Sequence, residues 1–291
     1  MLYRHIIKFG MSSATAKRTC LNVQGHRFFG SEEIENTIMA IKAAAASQLK
    51  SIETDVLLTK DDKLVICHGD WVIGNAQLRP LNNPDAPYEM KIIGEMTLEE
   101  LSHYGYQSSQ GHAIPTLEDV LDAFKGTDKI LNIELKDLDA RLSKMVIDAF
   151  VARDMLPQLF LSSFMHYHRK VAADYLKEKG LPHVRFGYLT YSIFDGTFDH
   201  FYANAHPGDE ITVSHASLRR YQVGLPDLLK KSAQHDMKLN IWFDGTSSLK
   251  YETLENYRDL FGLGIHTVIT NHPSHALQLN SELHKEQTAS Q

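Results

Sequence analysis

From residue 116 to the C-terminus the chain alternates between two hydrophobic periods. Apolar positions three and four apart predict helices over 116–125, 138–153, 167–179, 193–205, 226–235 and 251–261, with a last helix from Pro273. Between them, short apolar runs at 129–136, 159–164, 184–190, 210–214, 238–243 and 267–270 read as strands. Two similar runs come earlier, at 20–25 and from Ser51 onward, separated by a loop at 28–34 and an alanine-rich helix at 35–48. That makes about eight strands, each followed by helical or loop sequence, as a parallel (β/α)8 barrel requires. Residues 71–113 break the alternation: no period is sustained, prolines stand at 80, 84 and 87, and only 97–104 is helix-like. The expectation is an α/β chain with a single TIM-barrel domain over 20–291, a small insertion or lid at 71–113 after the second strand, and an N-terminal extension at 1–19.

Within this pattern the stretch SIETDVLLTKDDKLVICHGD, Ser51 to Asp70, is chemically unusual. At strand period Glu53, Asp55 and Leu57 share one side and Ile52, Thr54 and Val56 the other, so two carboxylates project together from a β-branched strand. Strand interiors seldom carry such a pair without a cation to satisfy it. Asp61-Asp62-Lys63 turns the chain, 64–67 is a second short apolar run, and His68 follows. The run at 20–25 ends in His26-Arg27, and in KILNIELK, Asn132, Glu134 and Lys136 share a face. Barrel sites form at the C-terminal ends of strands. His26, Arg27, Glu53, Asp55, His68, Glu134 and Lys136 would then meet on one rim, delivered by three neighbouring strands. Solvated strand ends and a Glu134–Lys136 ion pair are the plain alternatives, but three carboxylates without cysteine ligands suit one hard divalent cation, Mg2+ or Ca2+. The chain has 16 histidines, so position must select among them; His166, His168, His215 and His272 also fall near the expected rim and are assigned surface or supporting roles.

These residues resemble the glycerophosphodiester phosphodiesterase family. The likeness rests on GHR (Gly25 to Arg27), ENT (Glu35 to Thr37), ETDV and LTKD (Glu53 to Val56, Leu58 to Asp61), His68, IPTLEDVL (Ile114 to Leu121) and NIELK (Asn132 to Lys136), in the family's order. The resemblance implies a metal-dependent phosphodiesterase that cleaves glycerophosphodiesters to glycerol 3-phosphate and an alcohol. Glu53, Asp55 and Glu134 would hold the cation, His26 and His68 would divide acid and base work, and Arg27 and Lys136 would bind phosphate. Trp242 matches a family position where an aromatic side chain lines the substrate pocket. Alternatives on the same barrel are a lysophospholipase D, a lyase that releases a cyclic phosphate, or a catalytically silent phosphate-binding protein. Phe28 stands where the family usually has glycine, Ile34 where it has proline, Gly69 where it has aspartate, and Phe243 and Asn271 replace threonine and aspartate. Conserved chemistry with a drifted periphery is the expected picture.

Composition narrows the partners. At 291 residues, 43% hydrophobic and 23% charged, the chain is ordinary for a globular protein with a sizeable core. A formal net charge of −6 offers no general attraction to polyanions, so a small phosphodiester is the expected partner, with no nucleic acid and no integral membrane segment. Cys20 and Cys67, both expected in buried strands, form no disulfide framework and suit a reducing compartment, the cytoplasm. The first 31 residues carry Arg4, Lys8, Lys17, Arg18 and Arg27 and no acid, so an organellar address is the alternative.

Overall fold

The computed structural model describes residues 19–69, 74–191, 197–220, 224–243 and 246–289. The expected N-terminal extension, apart from Thr19, lies outside the described residues, as does Asp70. In chain order the first elements are β1 (Asn22–Gly25), α1 (Ile38–Ala46), β2 (Ser51–Leu58), β3 (Leu64–Ile66), β4 (Asn75–Pro80), β5 (Glu89–Ile92), α2 (Leu98–Leu101), β6 (Tyr104–Tyr106) and β7 (His112–Ala113). Next come α3 (Leu117–Phe124), β8 (Ile130–Leu135), α4 (Arg141–Val151), β9 (Leu159–Ser163), α5 (Tyr167–Glu178), β10 (Phe186–Thr190), α6 (Thr197–Asn204) and β11 (Glu210–Ser214). The last are α7 (His215–Arg220), α8 (Leu225–Gln234), β12 (Lys238–Trp242), α9 (Leu254–Gly262), β13 (Thr267–Thr270) and α10 (Pro273–Ala289). The main sheet runs β1-β13-β12-β11-β10-β9-β8-β2-β3 with an additional β1–β2 pairing, the strand order of a closed (β/α)8 barrel carrying β3 as an antiparallel branch. The fold class is as the alternation predicts.

Two compact units divide the chain, residues 26–184 and residues 1–25 with 185–291. In the first, β2 pairs in parallel with β8, and β8 with β9. Both faces of β2 are buried, as parallel strands covered by helices require. Ala40, Ile41 and Ala44 of α1, the apolar face of α3 (Leu117, Val120, Leu121, Phe124) and that of α4 (Leu142, Val146, Ile147, Phe150) supply the helical side of the core. The helix predicted over 35–48 starts only at Ile38, because Thr37 caps it by accepting from the Ala40 N–H at 3.2 Å while Asn36 sits at φ 54°. Glu35 is thereby released into the loop.

The described part of the 71–113 segment contains a second, antiparallel sheet of order β5-β4-β6-β7. Its inner face, with Ala76, Leu78 and Tyr106, packs on Leu57, Val65 and Cys67 and is closed by Ile93 and Leu101. Alternation is present on β4, where Ala76 and Leu78 are buried and Gln77 is exposed, but it spans too few positions to register as a period. The helix-like run at 97–104 shortens to α2, capped by a reciprocal Thr97–Glu100 box, and its end becomes β6.

In the second unit β10, β11, β12, β13 and β1 pair successively in parallel. Asn280 of α10 clasps the start of β1, accepting the Leu21 N–H at 2.9 Å and donating to the Leu21 carbonyl at 2.7 Å. Cys20, expected inside a strand, instead precedes β1 and is only half-buried. α7 was not foreseen; Ser214 starts it by accepting the Ser217 N–H at 2.9 Å.

The turn after β1 carries two consecutive left-handed residues, Arg27 at φ 50° and Phe28 at φ 75°. A bulky residue in that region is strained. Two contacts hold it there: the Phe28 N–H donates to the Glu53 carbonyl at 3.0 Å, and the ring is fully buried with its centroid 6.4 Å from that of Phe124. Phe28→Ala is expected to cost about 3–5 kcal/mol through the cavity it leaves. Phe28→Gly should cost less than the alanine change, the reverse of the usual order, because glycine relieves a backbone strain of about 1 kcal/mol. Denaturant midpoints of the two variants check this, and an alanine variant more stable than the glycine one would show that the turn is unstrained.

Candidate active site

Strand register brings the carboxylates together. Asp55 of β2 lies opposite Glu134 of β8, and Glu53 opposite Asn132, so three acids fall on neighbouring positions of one surface. Glu53, Asp55 and Glu134 are all buried, and one ligand-capable oxygen from each lies within 4.8 Å of the others. Lys136, just beyond β8, sets its Nζ 3.5 Å from Asp55 Oδ1 and 3.2 Å from Glu134 Oε1. The turn after β1 delivers the rest: the Arg27 N–H donates to Glu53 Oε2 at 3.1 Å, Arg27 Nε stands 3.6 Å from Asp55 Oδ2, and His26 Nε2 is 3.7 Å from Glu53 Oε2. His68 arrives through β3, whose antiparallel pairing with β2 continues into a Cys67 N–H to Asp55 carbonyl bond of 3.3 Å. Seven of the residues singled out from sequence thus belong to one cluster within the unit 26–184. Trp242 ends β12 in the other unit, where it is half-buried and meets Tyr191 edge-on at 5.2 Å between centroids.

Sequence reading missed the acid that holds Arg27. Glu35 takes Arg27 Nη1 between its two carboxylate oxygens at 2.9 and 2.8 Å. The only signal was its place in the ENT run, which the expected helix disguised. Ser108 and Ser109 also touch Glu35, and nothing in the sequence could place them there without the β6–β7 hairpin. Among the other histidines, His168 is wholly buried and braces the loop after β8, with Nε2 2.8 Å from the Asp137 carbonyl. His215 is buried between Phe243 and Tyr251, and burial with Arg219 nearby lowers it to about 4.

Burial, reinforced by Asp55 and Glu134, raises the Glu53 carboxyl well above its ordinary value. Burial likewise pushes Glu134 up to about 7 despite the pull of Lys136. Asp55 goes the other way: burial would raise it, but His68, Lys136 and Arg27 outweigh that and hold it below the usual carboxylate range. Burial lowers His68 to about 3 against the attraction of Asp55, so its imidazole is neutral at neutral pH. The same burial pushes the Cys67 thiol up to about 12, which removes it as a nucleophile beside His68.

Charge and hydrogen bonding both point to a cation. Ionised oxygens in a dry interior need partners, yet no described donor completes a hydrogen bond to Glu53 Oε1 or to either oxygen of Asp55, and Glu134 Oε1 has Lys136 Nζ at 3.2 Å. Four carboxylates, with Glu35 included, face two fixed cations, Arg27 and Lys136. An all-oxygen donor set with a deficit of two positive charges fits one divalent ion such as Mg2+ or Ca2+.

Comparisons with known proteins bear on the family and the fold. The sequence model of the glycerophosphoryl diester phosphodiesterase family matches residues 26–275. A glycerophosphodiester phosphodiesterase of Caldanaerobacter subterraneus subsp. tengcongensis is 30% identical over 176 residues, 57% of this chain. The chain spans 65% of that relative's length, just under two thirds. Among solved structures, a glycerophosphodiester phosphodiesterase of Thermotoga maritima superposes with a TM-score of 0.59 at 23% identity, covering 89% of this chain and 97% of its own. An Oleispira antarctica phosphodiesterase in complex with the product sn-glycerol-3-phosphate gives a TM-score of 0.66 at 19% identity, covering 89% and 96%. Both likenesses bear on the fold. Among the described residues no helix is long and apolar enough to cross a membrane.

The raised carboxyls have a measurable consequence. In the metal-free protein Glu53 and Glu134 bind protons more tightly when folded than unfolded. That increment of stability is present below the unfolded glutamate value of about 4.3, and it is lost as pH rises through about 7. The melting temperature of chelated protein is expected to fall between about pH 5 and pH 7. Added Mg2+ or Ca2+ should reverse the fall and release protons at about pH 6, read by calorimetry in two buffers of different ionisation enthalpy. A flat melting profile with no proton release would mean that the carboxylates are already ionised and satisfied.

Proposed function

We propose that this chain, which belongs to the glycerophosphoryl diester phosphodiesterase family, hydrolyses glycerophosphodiesters to glycerol 3-phosphate and an alcohol with one divalent cation held by Glu53, Asp55 and Glu134. The observation that carries the reading is the set of buried carboxylate oxygens without hydrogen bonds, bracketed by Arg27 and Lys136 and flanked by His26 and His68. When bound, a divalent cation supplies Lewis-acid polarisation of a phosphoryl oxygen.

The chain's own residues divide the remaining work. Arg27 and Lys136 take the non-bridging phosphate oxygens, and their fixed charges offset the negative charge that develops there. His68, held neutral by burial, is suited to accept the proton of the attacking hydroxyl on its unprotonated ring nitrogen. His26, within reach of the Glu53 carboxylate, is suited to carry a proton to the departing alcohol oxygen as its bond to phosphorus breaks. Trp242 would present an aromatic face to substrate, and the 71–113 insertion would border the mouth as a lid of a single barrel domain. Neither Cys20 nor Cys67 is in a disulfide, which suits a cytoplasmic setting.

Exhaustive chelation is expected to abolish turnover of glycerophosphocholine, and Mg2+ or Ca2+ to restore it; turnover that survives chelation would end the metal assignment. The products matter as much: free glycerol 3-phosphate supports hydrolysis, whereas a cyclic phosphate as end product would move the chain to the lyases.

The histidine roles have their own test. Single His26→Ala and His68→Ala changes should each lower kcat by at least about 10²-fold, with metal affinity kept. A p-nitrophenyl diester needs little help at its leaving group, so it should rescue His26→Ala far more than His68→Ala. Equal rescue of the two, or rescue of His68→Ala alone, would reverse or dissolve the assignment.

A further inference from the structure

The β6–β7 hairpin ends in a tightly bonded turn. Gly111 N–H donates to the Tyr106 carbonyl at 2.8 Å, Gln110 N–H to Gln107 at 2.9 Å and His112 N–H to Ser109 at 3.0 Å. The two strands approach so closely that a Cβ at Gly105 would fall 2.0 Å from the Gly111 carbonyl oxygen. Ser108 and Ser109 lie at the tip of this backbone-bonded turn. Both grip Glu35. The Ser109 hydroxyl donates to the Glu35 carbonyl at 2.8 Å, and the Ser108 hydroxyl donates to Glu35 Oε1. That carboxylate in turn engages only Nη1 of Arg27, while Arg27 Nε, 3.6 Å from Asp55 Oδ2, completes no hydrogen bond.

A chain of contacts thus runs from the insertion to the guanidinium beside the carboxylate cluster. We propose that Ser108 is a positioning residue for phosphate capture: acting through Glu35, it holds Arg27 in the pose that leaves its Nε edge facing the carboxylate cluster. The inference rests on the reading of Arg27 as a phosphate ligand. An arginine left mobile loses rotamer freedom when it binds, and one already held in the free protein does not, so pre-organisation raises affinity without adding a contact. Glu35 presents a partly exposed carboxylate bonded to a single guanidinium nitrogen, and one shared nitrogen leaves the pair torsional freedom. Ser108 removes that freedom. Its own side chain is exposed and packs in no core, and the Ser109 bond to the Glu35 backbone keeps the hairpin docked when Ser108 changes. A role in folding and a role in positioning are therefore separable.

The test is the affinity of the full chain for inorganic phosphate at saturating Mg2+, measured by titration and as competitive inhibition, in Ser108→Ala, Ser108→Thr, Glu35→Gln and Arg27→Ala variants. Ser108→Ala is expected to weaken phosphate binding about five- to tenfold, within the range for one ordinary hydrogen bond, because the Ser108–Glu35 contact is solvent-exposed. KM should rise by a similar factor while kcat holds, and Mg2+ affinity and melting temperature should not move. Ser108→Thr restores the hydroxyl and should restore the affinity, and Glu35→Gln should fall in the same direction as Ser108→Ala. Wild-type phosphate affinity in Ser108→Ala, beside a loss in Arg27→Ala, would overturn the proposal and leave the phosphate role of Arg27 standing. Unchanged affinity in both would overturn the proposal together with that role. A loss that travels with lower Mg2+ affinity or melting temperature would return Ser108 to the fold.

Discussion

Three carboxylates on two adjacent strands repel one another, and burial strengthens the repulsion by removing the water that would screen it. Nothing in β2 or β8 relieves this. The strands are fixed by their register, so Asp55 and Glu134 cannot move apart without unpairing the sheet that the apolar residues between them hold together. Relief must come from outside, and each neighbouring feature supplies part of it. Lys136 lies against two of the acids, the Arg27 backbone donates to the third, and protons remain on Glu53 and Glu134 at pH values where free glutamates have lost theirs. A divalent cation would complete the set in a way that two monovalent side chains do not.

The same conflict explains why this part of the chain was legible in sequence. A strand that must be buried on both faces reads as a near-continuous apolar run, and Glu53, Asp55, Glu134 and Lys136 break such runs where nothing local compensates them. Charges placed against burial advertise a site. Barrel topology then assigns them to one rim, which is why His26 and His68 can be joined to them from sequence. The alternation of helix and strand from residue 116 onward was equally readable apart from the six-residue α7, because the other helices there are long enough to show their period.

What could not be read has equally physical causes. The second sheet is built from strands of two to six residues, where a period of two has no room to repeat. Glu35 was assigned to a helix because its neighbours favour one, and only the left-handed backbone of Asn36 with the Thr37 cap excludes it. For Phe28 the one hint of its backbone was that the related family usually has glycine there. A phenylalanine in a loop suggests a surface ring or a core anchor, and here it is an anchor whose burial outweighs the strain of a conformation that suits glycine.

These successes and failures divide along one line. Residues carried by strands take their places from register, which is shared with every apolar neighbour and tolerates no change of one position. Residues carried by turns take theirs from local contacts that can be exchanged singly: Phe28 in place of glycine needs Phe124 and the Glu53 carbonyl, and Arg27 needs Glu35. The carboxylates are therefore the fixed part of the site, and the guanidinium and the two imidazoles are its adjustable part. The departures from the family's usual pattern singled out from the sequence, at 28, 34, 69, 243 and 271, lie in the adjustable part or beyond it. A cluster that repels itself leaves no room for drift in the strands that carry it; the turns can change as long as they still bring one donor to Glu53, one cation to Asp55 and one neutral imidazole beside it.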